Sequence, residues 1–543
     1  MTERRNYLID CAGLAVIVAV TRVICRSRYL YDIDSVNFAL ALDFFSPKLH
    51  QPHPPGYFLY VCSGRVLQAL FHDANDALVA LSILASCAAV TVIYLLTRNW
   101  FGRRAALFAG GLFVFSPLCW FHGIVALTYI VEAFFSASVG YLCWRGYTGN
   151  PNWLIAAAVT LGVSAGFRPS SLLFLGLLWL FSLLKAGTRT RLLALAVLGV
   201  TLLAWGIPML HAAGGLRTYF AALNLLWRGV PAKDAIGITS PILSLARMLT
   251  IIGVAVLCFG CGSAFVFRKL PAADPRRRQR IIFTWTWIGP GLLFFSFVFF
   301  LFVNSGYLLL LSPPLFAWLG AGAADWWGRA RLRHSLKAAC LAGAAALHVC
   351  AFLFGPWYSS LRSVRQFEAD LSGRIAAVRQ RFKPSDTLIV GFDSHFLGYR
   401  HAAYYLPEFL AVEYPPVSQP EGKRIFAVEK RRSELLAVLP VERFHDFVIF
   451  PLPDGGQYGA YRDKQQGRFP AGALISHGTN PVMFTGSIDN LRYLFPSGML
   501  TRAADGRVAS PAPRSDPHTG CIRTMTRSGG HVYSRSHVAR GES

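Results

Sequence analysis

The chain has 543 residues, of which 54% are hydrophobic and only 15% charged; 53 Lys and Arg stand against 28 Asp and Glu, a net charge of +25. Soluble domains carry about 25% charged residues, so the low charge and a mean hydropathy of +0.42 exclude an ordinary soluble enzyme. The basic residues sit mainly in gaps between apolar runs, as in a membrane protein with a cytoplasmic excess of positive charge, and no nucleic-acid partner is implied.

A run of about 17 to 25 apolar residues crosses a bilayer as a helix, because lipid offers no hydrogen-bond partner to an exposed backbone. The first run, from about Tyr7 to Cys25, follows Arg4 and Arg5 and lacks a small-residue cleavage site, which predicts a retained helix with its amino end in the cytoplasm. Further spans are predicted at Ala77–Thr97, Ala105–Phe121, Ile124–Trp144, Trp153–Phe167, Ser170–Leu184, Leu192–Ala212, Pro241–Phe267, Ile281–Val303, Gly306–Ala324 and Leu336–Phe354. A cytoplasmic start puts the gaps Arg98–Arg104, Arg145, Lys185–Arg191, Arg268–Arg280 and Arg329–Lys337 inside. The opposite orientation would expose Arg276, Arg277, Arg278 and Arg280 outside, against the charge bias.

Three pieces then lie outside the cytoplasm: Arg26–Asp76, Ala213–Ser240 and everything after Phe354. Strand-like runs at Thr387–Phe392, Arg424–Val428 and Phe447–Phe450, with a helical pattern over Ser360–Phe382, predict an α/β domain. The expected architecture is an α-helical polytopic membrane protein of about eleven transmembrane helices, residues 1–354 with a first outer loop at 26–76. An extracytoplasmic α/β domain at 355–500 and a disordered basic tail at 501–543, rich in Arg, Ser, Gly and Pro, complete it. All Cys but Cys62 and Cys521 fall in apolar runs, so no disulfide framework is read; the Cys258-Phe259-Gly260-Cys261 spacing lacks a second ligand pair and implies no metal site.

The most informative segment follows the first helix. It runs DIDSVNFALALDFF, with Asp32, Asp34 and Asp43, and then HQPHPPGYFLYV, in which prolines force an extended turn into a predicted surface helix, Gly56–Phe71. Acids in such a loop also serve solubility. This pair of motifs resembles the first outer loop of the GT-C glycosyltransferases, in particular bacterial relatives of protein O-mannosyltransferases and of lipid A aminoarabinose transferases. The resemblance continues through LTRNWFGRRAALFAG and FSPLCWFHGIVALTYIVEAFFSA, then more weakly through GFRPSSLL, GYLLLLSPPL and HAAYYLP, and covers the membrane part better than the rest.

The resemblance implies inverting transfer of a sugar from a polyprenyl phosphate to a protein, lipid or glycan acceptor outside the cytoplasm, in a bacterial inner or plasma membrane. Asp34 matches the first acid of the family pair and is the implied catalytic base. Ser35 stands where the family commonly has Glu, which leaves Asp32 or Asp43 to supply a second carboxylate. No cofactor is implied, and a divalent cation is left open. His53 is read as orienting the loop, with Asp43, Tyr57 and Glu132 as further orienting or acceptor-binding residues.

The chemistry also needs cations for the donor phosphate, and Arg offers paired hydrogen bonds. The candidates are Arg168, Arg247, Arg228 and Arg217. Arg168, between two short spans, is equally readable as an interfacial anchor. Arg247, inside a predicted span, calls for an anionic partner or a later start of that span. Arg217 and Arg228 belong to an aromatic-rich loop suited to lying against membrane lipids. Glu132, an acid at membrane depth, is readable as functional or as the partner of an Arg on a neighbouring helix. A transporter or lipid flippase is the competing class, set against the absence of related halves and of a GxxxxGK[ST] signature.

An odd number of spans puts the carboxy terminus outside. A reporter active only in the cytoplasm, fused at Ser543, is therefore expected to stay silent; strong activity would reverse the topology.

Overall fold

Capping residues and prolines decide where this chain stops being helical. The computed structural model describes residues 2–229, 241–265, 276–300, 305–392, 396–414, 416–419, 422–450, 474–477, 480–487, 495 and 499–500. Its chain divides into two compact units, one of Met1–Tyr29 with Pro54–Arg365 and one of Leu30–His53 with Gln366–Ser543.

In chain order the first helices are α1 (Thr2–Cys25), α2 (Ile33–Asp43), α3 (Phe58–Phe71), α4 (Ala74–Phe101), α5 (Arg103–Phe115), α6 (Pro117–His122), α7 (Tyr129–Thr148), α8 (Trp153–Phe167) and α9 (Ser170–Leu183). They continue as α10 (Thr188–Ala212), α11 (Leu216–Gly229), α12 (Pro241–Phe259), α13 (Arg277–Phe297), α14 (Ser312–Arg329) and α15 (His334–Phe354). All but α2 belong to the larger unit. Among the described residues, five helices are long and apolar enough to cross a membrane: Asn6–Cys25, Ala74–Phe101, Thr188–Ala212, Ile242–Ala264 and His334–Phe354. Phe58–Phe71, Trp153–Phe167 and Ser170–Leu183 are shorter apolar helices.

Two runs read from sequence as single spans are broken. Ala105–Phe121 divides at Ser116, whose extended backbone ends α5 and whose hydroxyl caps the Cys119 N–H at the start of α6, with Pro117 in the first turn. Gly306–Ala324 opens as a 3₁₀ turn, Ser305–Leu310, before α14 begins at the Ser-Pro-Pro step. The run starting at Ile124 becomes α-helical only at Tyr129.

The larger unit is locked at one end by aromatic rings. Trp100 of α4 meets Trp144 of α7 edge-on at 5.3 Å, and Trp144 meets Phe283 of α13 at 5.2 Å. Such pairs add about 0.5–1.5 kcal/mol beyond area burial. Gly140 makes room for this packing, because a Cβ there would collide with the Trp287 ring.

The smaller unit is an α/β sheet. Helix α16 (Leu361–Arg381) leads to β1 (Thr387–Phe392), α17 (Tyr399–Tyr405), β2 (Leu410–Tyr414), β3 (Val417–Gln419), β4 (Gly422–Glu429), β5 (Arg432–Leu436), β6 (Asp446–Phe450), β7 (Leu474–His477) and β8 (Asn480–Ser487). The order is β3-β4-β2-β1-β6-β8-β7, with β5 also on β4. Strand β1 is parallel to both β2 and β6, in register Leu388↔Leu410 and Leu388↔Phe447, and α17 makes the crossover that parallel pairing requires. One core packs Leu388, Val390, Val412, Ile425, Phe447 and Ile449 together. The predicted tail at 501–543 lies outside the described residues.

The sequence reading treated 26–76 as one loop, but Leu30–His53 is built into the smaller unit. The Leu30 N–H donates to the Tyr405 hydroxyl at 2.8 Å, Arg400 Nη2 donates to the Leu49 carbonyl at 3.0 Å, and the Tyr31 ring packs edge-on against Phe367 at 5.0 Å.

His401, fully buried in α17, reports on this assembly. Burial lowers its pKa from 6.5 to about 3, against a smaller opposing effect of the Leu30 and Tyr31 backbone. The unfolded imidazole takes up a proton as the pH falls through 6.5 while the folded one stays neutral to about 3, so stability is lost across that window. The melting temperature of the purified chain is expected to drop as the pH is lowered through it. His401→Gln should make that decline shallower, and an unchanged slope would contradict this account of the burial.

Candidate active site

The acidic segment of the smaller unit is not an irregular loop. Asp32 adopts extended backbone angles and N-caps α2, its carboxylate accepting from the Asp34 N–H at 2.8 Å. Capping occupies Asp32, which is only 9% exposed. Asp34 stands in the first turn, where the helix dipole favours a negative charge. Its Oδ1 lies 3.2 Å from His53 Nδ1, with 25% of the Asp34 side chain and 20% of the His53 side chain exposed. The Gln51-Pro52 peptide is cis, and His50 takes a left-handed conformation at φ 56. The residues Ser46 and Gln51 exchange backbone hydrogen bonds across the turn at 2.6 and 3.0 Å. That turn returns the chain so that His53 meets Asp34. Asp43 is exposed at the far end of α2, about 13 Å from Asp34 at 1.5 Å rise per residue, and the two carboxylates do not share a site.

In the larger unit a second polar group forms where helices end. Arg168 terminates α8 before Pro169, and its Nε lies 2.9 Å from Glu132 Oε2 in the first turn of α7. Ser170 and Ser171, opening α9, donate to Glu132 Oε1 at 3.1 and 3.3 Å, while Arg168 Nη1 donates to Thr128 Oγ1 at 2.8 Å. The guanidinium carbon lies 4.2 Å from the Tyr129 ring centre and 5.4 Å from that of Tyr307. Tyr57, at the N-cap of α3, also interacts electrostatically with Arg168. Gly306 lets the 3₁₀ turn close here, since a Cβ would collide with the Tyr129 ring. Glu132 and Arg168 are thus brought together with Tyr57. Of the two readings of Glu132, the geometry realises the pairing with an Arg.

The remaining candidate arginines lie on other helices. Arg247, singled out in the sequence as a charge inside a predicted span, is fully buried in α12. Arg217 is exposed on α11, a strongly amphipathic helix tied to the proline turn by a hydrogen bond from the Tyr219 hydroxyl to the Pro55 carbonyl at 3.1 Å. Arg228 lies on the same helix, but its side chain is outside the described residues. Among the described residues no group of three or more His, Cys, Asp or Glu is placed to hold a metal ion.

Residues 44–191 match the family model described as the Protein O-mannosyl-transferase TMEM260 N-terminal domain. No curated protein sequence matches the chain significantly. Among solved structures, ArnT from Cupriavidus metallidurans in the apo state is similar with a TM-score of 0.56 at 14% identity, covering 90% of this chain and 99% of that one. The same enzyme bound to undecaprenyl phosphate gives 0.58 at 14% identity, covering 93% and 99%. The chain has the GT-C fold.

The segment matched by the family model contains His53, Tyr57, Glu132 and Arg168 but begins after Asp32, Asp34 and Asp43. Sequence reasoning passed over Thr128, Tyr129, Ser170, Ser171 and Tyr307, the residues that complete the Arg168 group. Tyr129 and Ser170 lie within three residues of Glu132 and Arg168, and a Tyr close to an acid in an apolar run was the available signal. His122 was also missed. It is buried beside Tyr129, with ring centres 5.1 Å apart, and among the described residues neither ring nitrogen has a hydrogen-bond partner.

A buried pair is weakened more by losing one member than by losing both. Arg168→Met and Glu132→Gln are each expected to destabilise the detergent-solubilised protein by about 3–5 kcal/mol, read as a loss of folded yield and melting temperature. The double variant should recover most of it. Single variants that melt like the wild type would show that the pair contributes nothing to folding.

Proposed function

We propose that this chain is a glycosyltransferase that moves a sugar from a polyprenyl-phosphate donor to an acceptor hydroxyl outside the cytoplasm, with inversion at the anomeric carbon and Asp34 as general base. The observation that carries the reading is the accessible Asp34 carboxylate, fixed at a helix start and set 3.2 Å from His53. The GT-C fold supports it, as does the undecaprenyl phosphate bound by the similar ArnT. In this reading about eleven helices span the bilayer, the amino terminus is cytoplasmic, and the α/β unit is extracytoplasmic in a bacterial inner membrane.

The acceptor O–H gives its proton to Asp34 as its oxygen attacks the anomeric carbon. The bond from that carbon to the phosphate oxygen breaks, and the electron pair leaves with the polyprenyl phosphate. Such a leaving group needs no strong general acid, so one base suffices. Charge growing on the departing phosphate calls for a cation, and Arg247 is assigned to it, with Arg217 and Arg228 contacting the lipid-linked phosphate at the interface. Arg168, committed to Glu132 and two tyrosines, is assigned to positioning. His53 orients the base, Tyr57 the turn, and Asp43 contacts the acceptor. The matching family's description makes polyprenyl-phosphoryl mannose the first donor to test and a protein hydroxyl the first acceptor.

Asp34→Asn keeps the side chain's shape but cannot take a proton at neutral pH. It is expected to lower transfer by about 10²–10⁴-fold with donor binding retained. Asp32→Asn, still able to cap α2, should stay near wild type, while Asp32→Ala should lose about 1 kcal/mol of helix stability. Transfer that survives in Asp34→Asn and vanishes in Asp32→Asn would move the base to Asp32.

A further inference from the structure

A cavity of about 550 Å³ opens among the ends of α4, α5, α13 and α14 in the larger unit, and its walls include Arg104, Arg277, Arg280, Trp100, Phe101 and Trp318. Its place in the bundle separates it from the Arg168 group. Trp100 contacts Trp144, and Trp144 lies about 18 Å along α7 from Glu132 at 1.5 Å per residue. The cavity therefore sits at the opposite end of the same helix. On the topology read from the basic gaps, that end is cytoplasmic.

Its walls are cationic and aromatic together. Arg280 is only 8% exposed, with its guanidinium carbon 4.8 Å from the Phe101 ring centre. Arg277 is half-buried on the same first turn of α13, and its Nε finds no hydrogen-bond partner among the described residues. Arg104, from the first turn of α5, is exposed. Among the described lining residues Asp325 is the only acid, and it lies 2.7 Å from Arg329 on its own helix. Among the described lining residues three guanidinium groups and one carboxylate therefore meet at the cavity. Trp318 is held by a hydrogen bond from its Nε1 to Thr284 Oγ1 at 2.9 Å and packs against Phe101 at 5.1 Å, so the apolar wall is fixed in place.

We propose that this cavity is a binding site for a phosphate-bearing anion, with Arg104, Arg277 and Arg280 as its ligands. Guanidinium groups bind phosphate oxygens through paired, charge-assisted hydrogen bonds. The volume falls in the range of small-ligand sites, about 300–1,000 Å³, and exceeds what a bare phosphate fills. The aromatic wall suits the glycerol and first methylenes of an anionic lipid, and basic pockets between helices on the cytoplasmic side bind such headgroups. The site is independent of the glycosyl-transfer reading, since its occupancy can be measured with no sugar donor present.

The test uses the full chain in phosphatidylcholine nanodiscs containing deuterated phosphatidylglycerol, with retained lipid counted by native mass spectrometry in wild type, Arg277→Gln and Arg104→Gln/Arg277→Gln. These variants are preferred to Arg280→Gln because their side chains are not packed in the core, and melting temperatures check that they fold. Phosphatidylglycerol retained at high occupancy by wild type and reduced about tenfold in the double variant supports the site with a lipid source. Inorganic phosphate that displaces the lipid, or that binds alone and is lost in the double variant, supports it with a free source. Equal lipid retention in wild type and folded double variant, with no effect of inorganic phosphate, overturns the proposal.

Discussion

A peptide group in hydrocarbon has no water to bond with, so a membrane chain stays helical until a capping side chain, a proline or another helix satisfies the broken ends. The polar residues of interest in this chain stand at those ends. Arg168 closes α8 just before Pro169, Glu132 lies in the first turn of α7, and Ser170 and Ser171 open α9. Asp32 caps α2 and Asp34 occupies its first turn. Each of these groups is fixed where the backbone already needs polar partners, which is where a buried charge costs least.

The same constraint separates residues that look alike in sequence. Asp32 and Asp34 are two positions apart, yet one is spent on the backbone and nearly buried while the other keeps a quarter of its side chain exposed beside His53. Arg168 and Arg247 are both buried arginines, but Arg168 ends a helix against a carboxylate and two aromatic rings, whereas Arg247 lies within α12. Position within an element thus gives residues of one type different surroundings.

Much of this was legible in the sequence. Apolar length located the long helices α1, α4, α10 and α15 to within a few residues, because hydropathy reads burial in lipid directly. The strand at Thr387–Phe392 and the helix over Ser360–Phe382 followed from their periodicities. Hydropathy does not report breaks that leave the run apolar, so Ser116-Pro117 and the Ser-Pro-Pro step at α14 were read through. Nor does it report long-range assembly. That Leu30–His53 belongs with a sheet more than three hundred residues further on depends on Tyr405, Arg400 and Phe367 meeting it, contacts that no local pattern encodes. Around the candidate site, the turn that carries His53 to Asp34 was legible from its prolines, while the approach of Tyr307 to Arg168 was not, since it depends on the 3₁₀ turn at Gly306.

In the proposed function a lipid-linked sugar is cleaved and transferred, not carried across the membrane. Purified protein in liposomes, given an isotopically labelled polyprenyl-phosphoryl mannose of known anomeric configuration and a serine- and threonine-containing peptide, puts that to its most direct test. The account predicts a glycopeptide whose anomeric carbon, read by NMR, has the opposite configuration to the donor, with stoichiometric release of polyprenyl phosphate. A product of retained configuration would contradict the single-displacement mechanism, and intact donor redistributed between leaflets without transfer would contradict the enzyme itself.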